Sequence, residues 1–177
     1  MKEDNTIYVK IDNNNIATLE FPEYNIKARA YIGKKGASEI IIEGNEMTPL
    51  GKFDFGVSLG THSEEEMNTK TNLEYKKITD TMYWVDDSNS PYYNQLVDTQ
   101  NTQKNWNSAE HLIDFPVEYE LLVEIKTNPN NIPNKGSAIF LHCNTGKPTL
   151  GCVGVSKSVM EKLITVINKN TKIVITR

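Results

Sequence analysis

The chain has 177 residues, 38% of them hydrophobic and 24% charged, with a formal net charge of −4. That length suits one globular domain with a sizeable core. The negative balance and the absence of any Lys/Arg run argue against nucleic acid or anionic membrane surfaces as main partners, and no stretch approaches the roughly 18 apolar residues of a membrane span.

Met1-Lys2-Glu3-Asp4-Asn5 is polar and lacks the apolar core of a signal peptide. The expectation is a cytoplasmic protein, or one whose export segment is absent from this sequence. Thr6–Ile11 and Ile16–Phe21 are rich in β-branched and aromatic residues and flank Asp12-Asn13-Asn14-Asn15, a hairpin signal. Ile26–Ile32 alternates apolar and polar residues, as a half-buried strand does. Glu39–Glu43 and Lys52–Leu59 read as strands joined by the turn-rich Gly44–Gly51. The run Glu64-Glu65-Glu66 reads as a solvated loop. Met82–Val85, Tyr119–Thr127, Ser137–Leu141, Val153–Val155 and Lys172–Thr176 complete the predicted strands. Asp86-Asp87 reads as a turn.

A short helix is expected at Ser108–Ile113, with Ser108 as its cap. A longer one starts at Ser156 or Ser158, places Val159, Leu163, Val166 and Ile167 on one face, and ends at Asn168-Lys169-Asn170. Residues 60–80 and 86–107 are polar and aperiodic, a pattern that suits functional walls or lids. No composition shift divides the chain, so residues 1–177 are expected to form one domain. The architecture is mainly β, a twisted β-sandwich or partly open barrel with one helix packed near the C-terminus.

Chemistry concentrates between Ser137 and Val153. An apolar strand ends in His142, and a Gly/Pro/Thr loop returns to Gly151-Cys152 at the start of another strand. A thiol of ordinary pKa about 8.5 is a weak nucleophile until an imidazole takes its proton and stands beside the thiolate. Cys152 is therefore a candidate nucleophile of lowered pKa, and His142 its base. The N–H groups of Gly151 and Cys152 are candidates for an oxyanion hole, and Thr149 a candidate to orient the imidazole or contact substrate. The bland alternative is that both are packing residues, since free cysteine is among the most buried residue types. Cys143 reads as structural, because alternation points it away from His142. Cys143 and Cys152 are too few and too close for a disulfide framework. Trp84, Tyr92 and Tyr93 are candidates to line a substrate groove, against the alternative of core aromatics. His111 is a candidate second polar group near the site, against a plain surface role.

These elements together resemble the catalytic domain of the L,D-transpeptidases, the YkuD-type family. The resemblance rests on His142, then Thr149-Leu150-Gly151-Cys152, and upstream on Gly33-Lys34-Lys35-Gly36, Glu43-Gly44 and Thr48-Pro49-Leu50-Gly51. Trp84-Val85-Asp86-Asp87, Tyr92-Tyr93-Asn94 and Ser108-Ala109-Glu110-His111-Leu112 look like one branch of that family. The match runs from about residue 26 to the C-terminus, with residues 1–25 as family-variable strands. Many members carry a polar residue at the position of Leu150, and Arg or Asn at the position of Gly154. The stretch between the histidine and Thr149 is also shorter here than is common.

The resemblance implies a peptidoglycan L,D-transpeptidase fold and reaction. Cys152 would attack a tetrapeptide stem before its terminal D-Ala, form a thioester, and pass the acyl group to an amine of a second stem. It implies capture by carbapenems, a role in cell-wall biogenesis and cell shape, an extracytoplasmic location, and no metal or organic cofactor. With water as acceptor the same site would be an L,D-carboxypeptidase. Two other readings are a non-catalytic cell-wall-binding domain and a metal module built on His142, Cys143 and Cys152, the latter short of the four ligands a structural zinc site needs.

Overall fold

The computed structural model describes residues 4–177, so Met1, Lys2 and Glu3 of the polar N-terminus lie outside the described residues. Strands β1 (Thr6–Asn13) and β2 (Ile16–Phe21) form the expected hairpin, and β3 (Ile26–Tyr31) pairs antiparallel with β2. Alternate side chains Ile7, Val9, Ala17, Leu19 and Phe21 are fully buried, as a strand with one face on a core requires.

Two short strands follow, β4 (Ala37–Ser38) and β5 (Thr48–Pro49), paired parallel. The long β6 (Gly51–Gly60) then changes partner midway. Its first half pairs with β14 (Lys172–Thr176) and its second half with β11 (Leu121–Ile125). β12 (Phe140–Cys143) pairs antiparallel with β11, and β13 (Val153–Val155) runs parallel to β12. Gly154 opposite Tyr31 joins β13 back to β3, and β14 lies parallel to β1. The main sheet thus closes on itself, in the order β6-β11-β12-β13-β3-β2-β1-β14, with β7 (Tyr75–Lys77) paired on β6. A second sheet has the order β10 (Ala109–His111), β8 (Met82–Val85), β9 (Leu96–Asp98).

Helix α2 (Lys157–Val166) begins where Ser156 accepts the Val159 N–H. It buries Met160, Leu163 and Ile164, with Ile167 just beyond, in the core enclosed by the main sheet; Val159 and Val166 pack at its edge. The sheet-rich fold with a single longer helix agrees with the expected sandwich or barrel.

Three local expectations differ. Glu64-Glu65-Glu66 opens a short helix, α1 (Glu64–Asn68), where Ser63 caps the Glu66 N–H and the three acids sit at the positive end of the helix dipole. Glu39–Glu43 is no strand. Ile40 and Ile42 point into solvent, and the pairing is made two residues earlier by β4. Ser108–Ile113 is no helix either, because Ala109–His111 pair with Tyr83–Val85 and Ser108 bonds Asp86 instead of capping. Only Leu112–Asp114 turn, as a single 3-10 turn.

β11 and β12 are buried on both faces, which positions the chemistry. Leu121, Val123, Leu141 and Cys143 face the main core. Leu122 and Phe140 face a second core with Trp84, Leu112, Tyr119 and Cys152.

Candidate active site

Register brings the two candidate groups together. In the parallel pair, Leu141 lies opposite Val153 and His142 opposite Gly154. Side chains alternate in both strands, so Phe140, His142 and the residue before Val153 share one face. That residue is Cys152, and the Phe140 N–H donates to its Sγ at 3.3 Å. Cys143, one place after His142, falls on the opposite face in the main core, and both cysteines are free thiols.

Parallel neighbours ordinarily need a crossover of a dozen or more residues. Here residues 144–152 suffice, because side chains pin the loop from within. Asn144 Oδ1 accepts the N–H groups of Gly146 and Lys147 at 2.6 and 2.9 Å, and its Nδ2 donates to the Lys147 carbonyl. Thr149 Oγ1 donates to the Cys152 carbonyl at 2.6 Å and accepts the Gly151 N–H at 3.1 Å. From outside, the buried Thr48 donates to the Gly151 carbonyl and accepts the Gly33 N–H, both at 2.8 Å. Gly151 has φ +141°, and a Cβ there would stand 3.1 Å from the Met47 carbonyl oxygen, so only glycine fits without strain.

Two expectations change on this geometry. The Gly151 N–H is spent on Thr149, so of the two expected oxyanion donors only the Cys152 N–H lacks a partner among the described residues. Thr149 clamps the loop that carries Cys152 and does not orient the imidazole. That task falls to a backbone carbonyl: His142 Nδ1 lies 2.5 Å from the Cys143 oxygen. A carbonyl only accepts, so Nδ1 carries the hydrogen and Nε2 keeps its lone pair.

His142 and Cys152 line one cleft of about 250 Å³. Its walls include Tyr119, whose ring meets the His142 ring edge-on at 5.7 Å, and the apolar Phe115 and Leu150, the latter 71% exposed at the mouth. Burial, and then the charge of Glu110, push the Cys152 thiol well above its ordinary value, while burial pushes His142 down. The resting pair is therefore a neutral thiol and a neutral imidazole, not the lowered-pKa thiolate expected from the sequence. The thiol donates to the Ala138 carbonyl at 3.2 Å. Ala138 itself holds φ +53°, a conformation costly for a residue with a Cβ.

The Gly154 departure has a steric reason. A Cβ at Gly154 would lie 2.6 Å from the Asn144 Cβ and clash with its Nδ2. The side chain that shapes the loop occupies the space that an Arg or Asn at position 154 would need.

Four further candidates do not reach the cleft. Trp84 is buried behind Phe140, edge-on at 4.8 Å, with its indole N–H on Asn94. Tyr93 is buried, donating to Glu43 at 2.6 Å and accepting the Gly136 N–H. His111 stacks on Tyr83 at 4.5 Å and contacts the Asp80 carbonyl and Asp114. Tyr92 packs near Trp106 in a separate small cluster. Sequence reasoning missed Glu110 and Tyr119, which do line the cleft. The signal was present in strand alternation, which sends Glu110 and His111 to opposite faces of β10, but the expected helix concealed it.

Neither a curated protein nor a solved structure gives a significant match to the chain. The family model for the L,D-transpeptidase catalytic domain (YkuD) matches residues 3–175, nearly the whole length, and includes every element of the cleft described above. The chain belongs to the YkuD family of L,D-transpeptidase catalytic domains.

Proposed function

We propose that this chain is a peptidoglycan L,D-transpeptidase with Cys152 as nucleophile and His142 as base. The observation that carries the reading is the parallel register of β12 and β13, which sets both side chains on one face of one cleft. On substrate binding the thiol turns from the Ala138 carbonyl and gives its proton to His142 Nε2. The sulfur attacks the carbonyl before the terminal D-Ala of a tetrapeptide stem, and the oxyanion meets the Cys152 N–H. His142 returns the proton to the departing amine, the C–N bond breaks, and a thioester remains. An amine of a second stem then attacks the thioester, giving a cross-link between third residues. Neither step calls on a metal or organic cofactor, and the substrate places the protein outside the cytoplasmic membrane.

The neutral resting pair supports this order of events. A buried thiol gains nothing by ionising before a substrate arrives, and the imidazole is held as the tautomer that accepts a proton. The test is intact-mass spectrometry of wild type and Cys152→Ala after incubation with a tetrapeptide stem or a carbapenem. A stoichiometric adduct on wild type alone is expected. A folded wild type that takes no acyl group from either would sink the reading and favour a wall-binding domain without turnover.

A further inference from the structure

The acyl exchange above leaves one buried acid of the cleft without a task. Glu110 sits on β10 opposite Trp84, and strand alternation turns it toward Cys152 while His111 turns away. Its Oε2 accepts the Tyr119 hydroxyl at 2.5 Å. The Tyr119 ring is in turn packed edge-on against Phe140 and His142. Among the described residues Oε1 has no protein partner, and since no fully buried side-chain oxygen lacks one, Oε1 is not sealed off; Glu110 itself lines the cleft.

This anion is badly placed for the first half of the reaction. Its charge opposes thiolate formation at Cys152 and would repel the carboxylate of the departing D-Ala. The second half reverses both objections. The sulfur is then an uncharged thioester, and the incoming amine arrives as a cation, since a side-chain amine has a pKa near 10.4. A protonated amine cannot attack until it loses a proton, and His142 has only one place for a proton, which it needs for the departing sulfur.

Resting on the acyl-transfer reading, we infer that Glu110, anchored by Tyr119, binds the protonated acceptor amine and takes its first proton at the thioester stage, selecting an amine over water. The ammonium gives one proton to Glu110 and becomes a neutral amine. Its nitrogen attacks the thioester carbonyl, and the second proton passes to His142. The C–S bond breaks, His142 protonates the sulfur, and Glu110 releases its proton to solvent. The products are an amide, a free thiol and one proton. Water carries no cation to be drawn in, so it lacks this advantage. The other charged groups are Asp86 and Glu43, whose charges act on Glu110, and Glu118 and Lys147, which line the same cleft.

The burial that surrounds Glu110 raises its carboxyl to about 7, with the charges of Asp86 and Glu43 adding to that and the Tyr119 bond opposing it. A carboxylate in that range can both accept and release a proton near neutral pH.

The test starts from acyl-enzyme already formed, so the first half-reaction drops out. Wild type and Glu110→Gln, each acylated by a tetrapeptide stem and freed of donor, are mixed at neutral pH with water alone, Nα-acetyl-L-lysine amide or hydroxylamine. For Glu110→Gln, transfer to the lysine amine relative to hydrolysis should fall by about tenfold or more. Capture by hydroxylamine, which is uncharged at that pH, should fall much less. Tyr119→Phe keeps the ring against His142 but removes the bond that favours the charged carboxylate. It should move the acid limb of lysine transfer to higher pH. An unchanged partition in Glu110→Gln, or an equal loss with all three nucleophiles, overturns the assignment. So does an unshifted limb in Tyr119→Phe, which serves also if the Gln variant does not fold. Wild type that forms no acyl-enzyme overturns the acyl-transfer reading itself, and this assignment with it.

Discussion

Cys152 and His142 are both uncharged at rest, and that has a measurable consequence. Neutral His142 is the form able to take a proton, and burial lowers its pKa from the ordinary 6.5. Acylation should therefore rise with pH through a midpoint below 6.5, measured as the rate of adduct formation by mass. A midpoint at or above that value would mean that the imidazole is stabilised as a cation, as in a preformed thiolate pair. Glu110 predicts the opposite sign for stability. Its folded pKa of about 7 lies above the ordinary 4.5, so the stability it contributes is full below 4.5 and lost as pH rises through about 7. Glu110→Gln removes that loss. Relative to wild type the variant should gain about 1–3 kcal/mol between pH 5 and pH 8, allowing for partial exposure, in urea unfolding. A wild type that gives up stability at neutral pH to keep this acid is what a functional role for Glu110 entails.

At the scale of elements, the loop between β12 and β13 is the decisive piece. Asn144 shapes it from within and fills the space over Gly154. Placing Asn at 154 should destabilise the chain by about 1–3 kcal/mol through overpacking, read by denaturant midpoint. Asn144→Gly should also destabilise, by loss of the three hydrogen bonds that the Asn144 side chain makes within the loop. The double variant should recover part of the Gly154→Asn cost, because the two side chains compete for one space. Strict additivity would show that the contact is not what excludes a side chain from position 154. The loop was legible in the sequence as a Gly/Pro/Thr return between two apolar runs. The role of Thr149 was not, because a hydroxyl three residues before the cysteine can turn either to a ring or to its own backbone, and spacing does not choose. The 108–113 segment failed for a related reason. Its local signals fit a capped helix, yet pairing with Tyr83–Val85 overrode them.

For the whole molecule, closure of the main sheet decides what the site looks like. β6 bends from β14 to β11, and the ladder pair of Gly154 with Tyr31 completes the ring. This places β11 and β12 between two cores and opens the cleft on the second of them. Much followed from residues alone. Hydrophobic alternation marked most strands and α2, because a strand or helix with one buried face must repeat with its own period. The pair His142 and Cys152 stood out because nucleophile and base need few atoms and a short return loop. What the chain could not declare locally were contacts between distant segments: Thr48 under Gly151, Tyr119 against His142, and Glu110 beside Cys152. Trp84 and Tyr93, plausible groove aromatics by type, proved to be core because burial belongs to the packed whole and not to the side chain. Periodicity is written in neighbouring residues, so sequence marked most of the elements and pointed to the candidate pair. Register, burial and charge environment depend on residues far apart in the chain, and only the tertiary structure decided them.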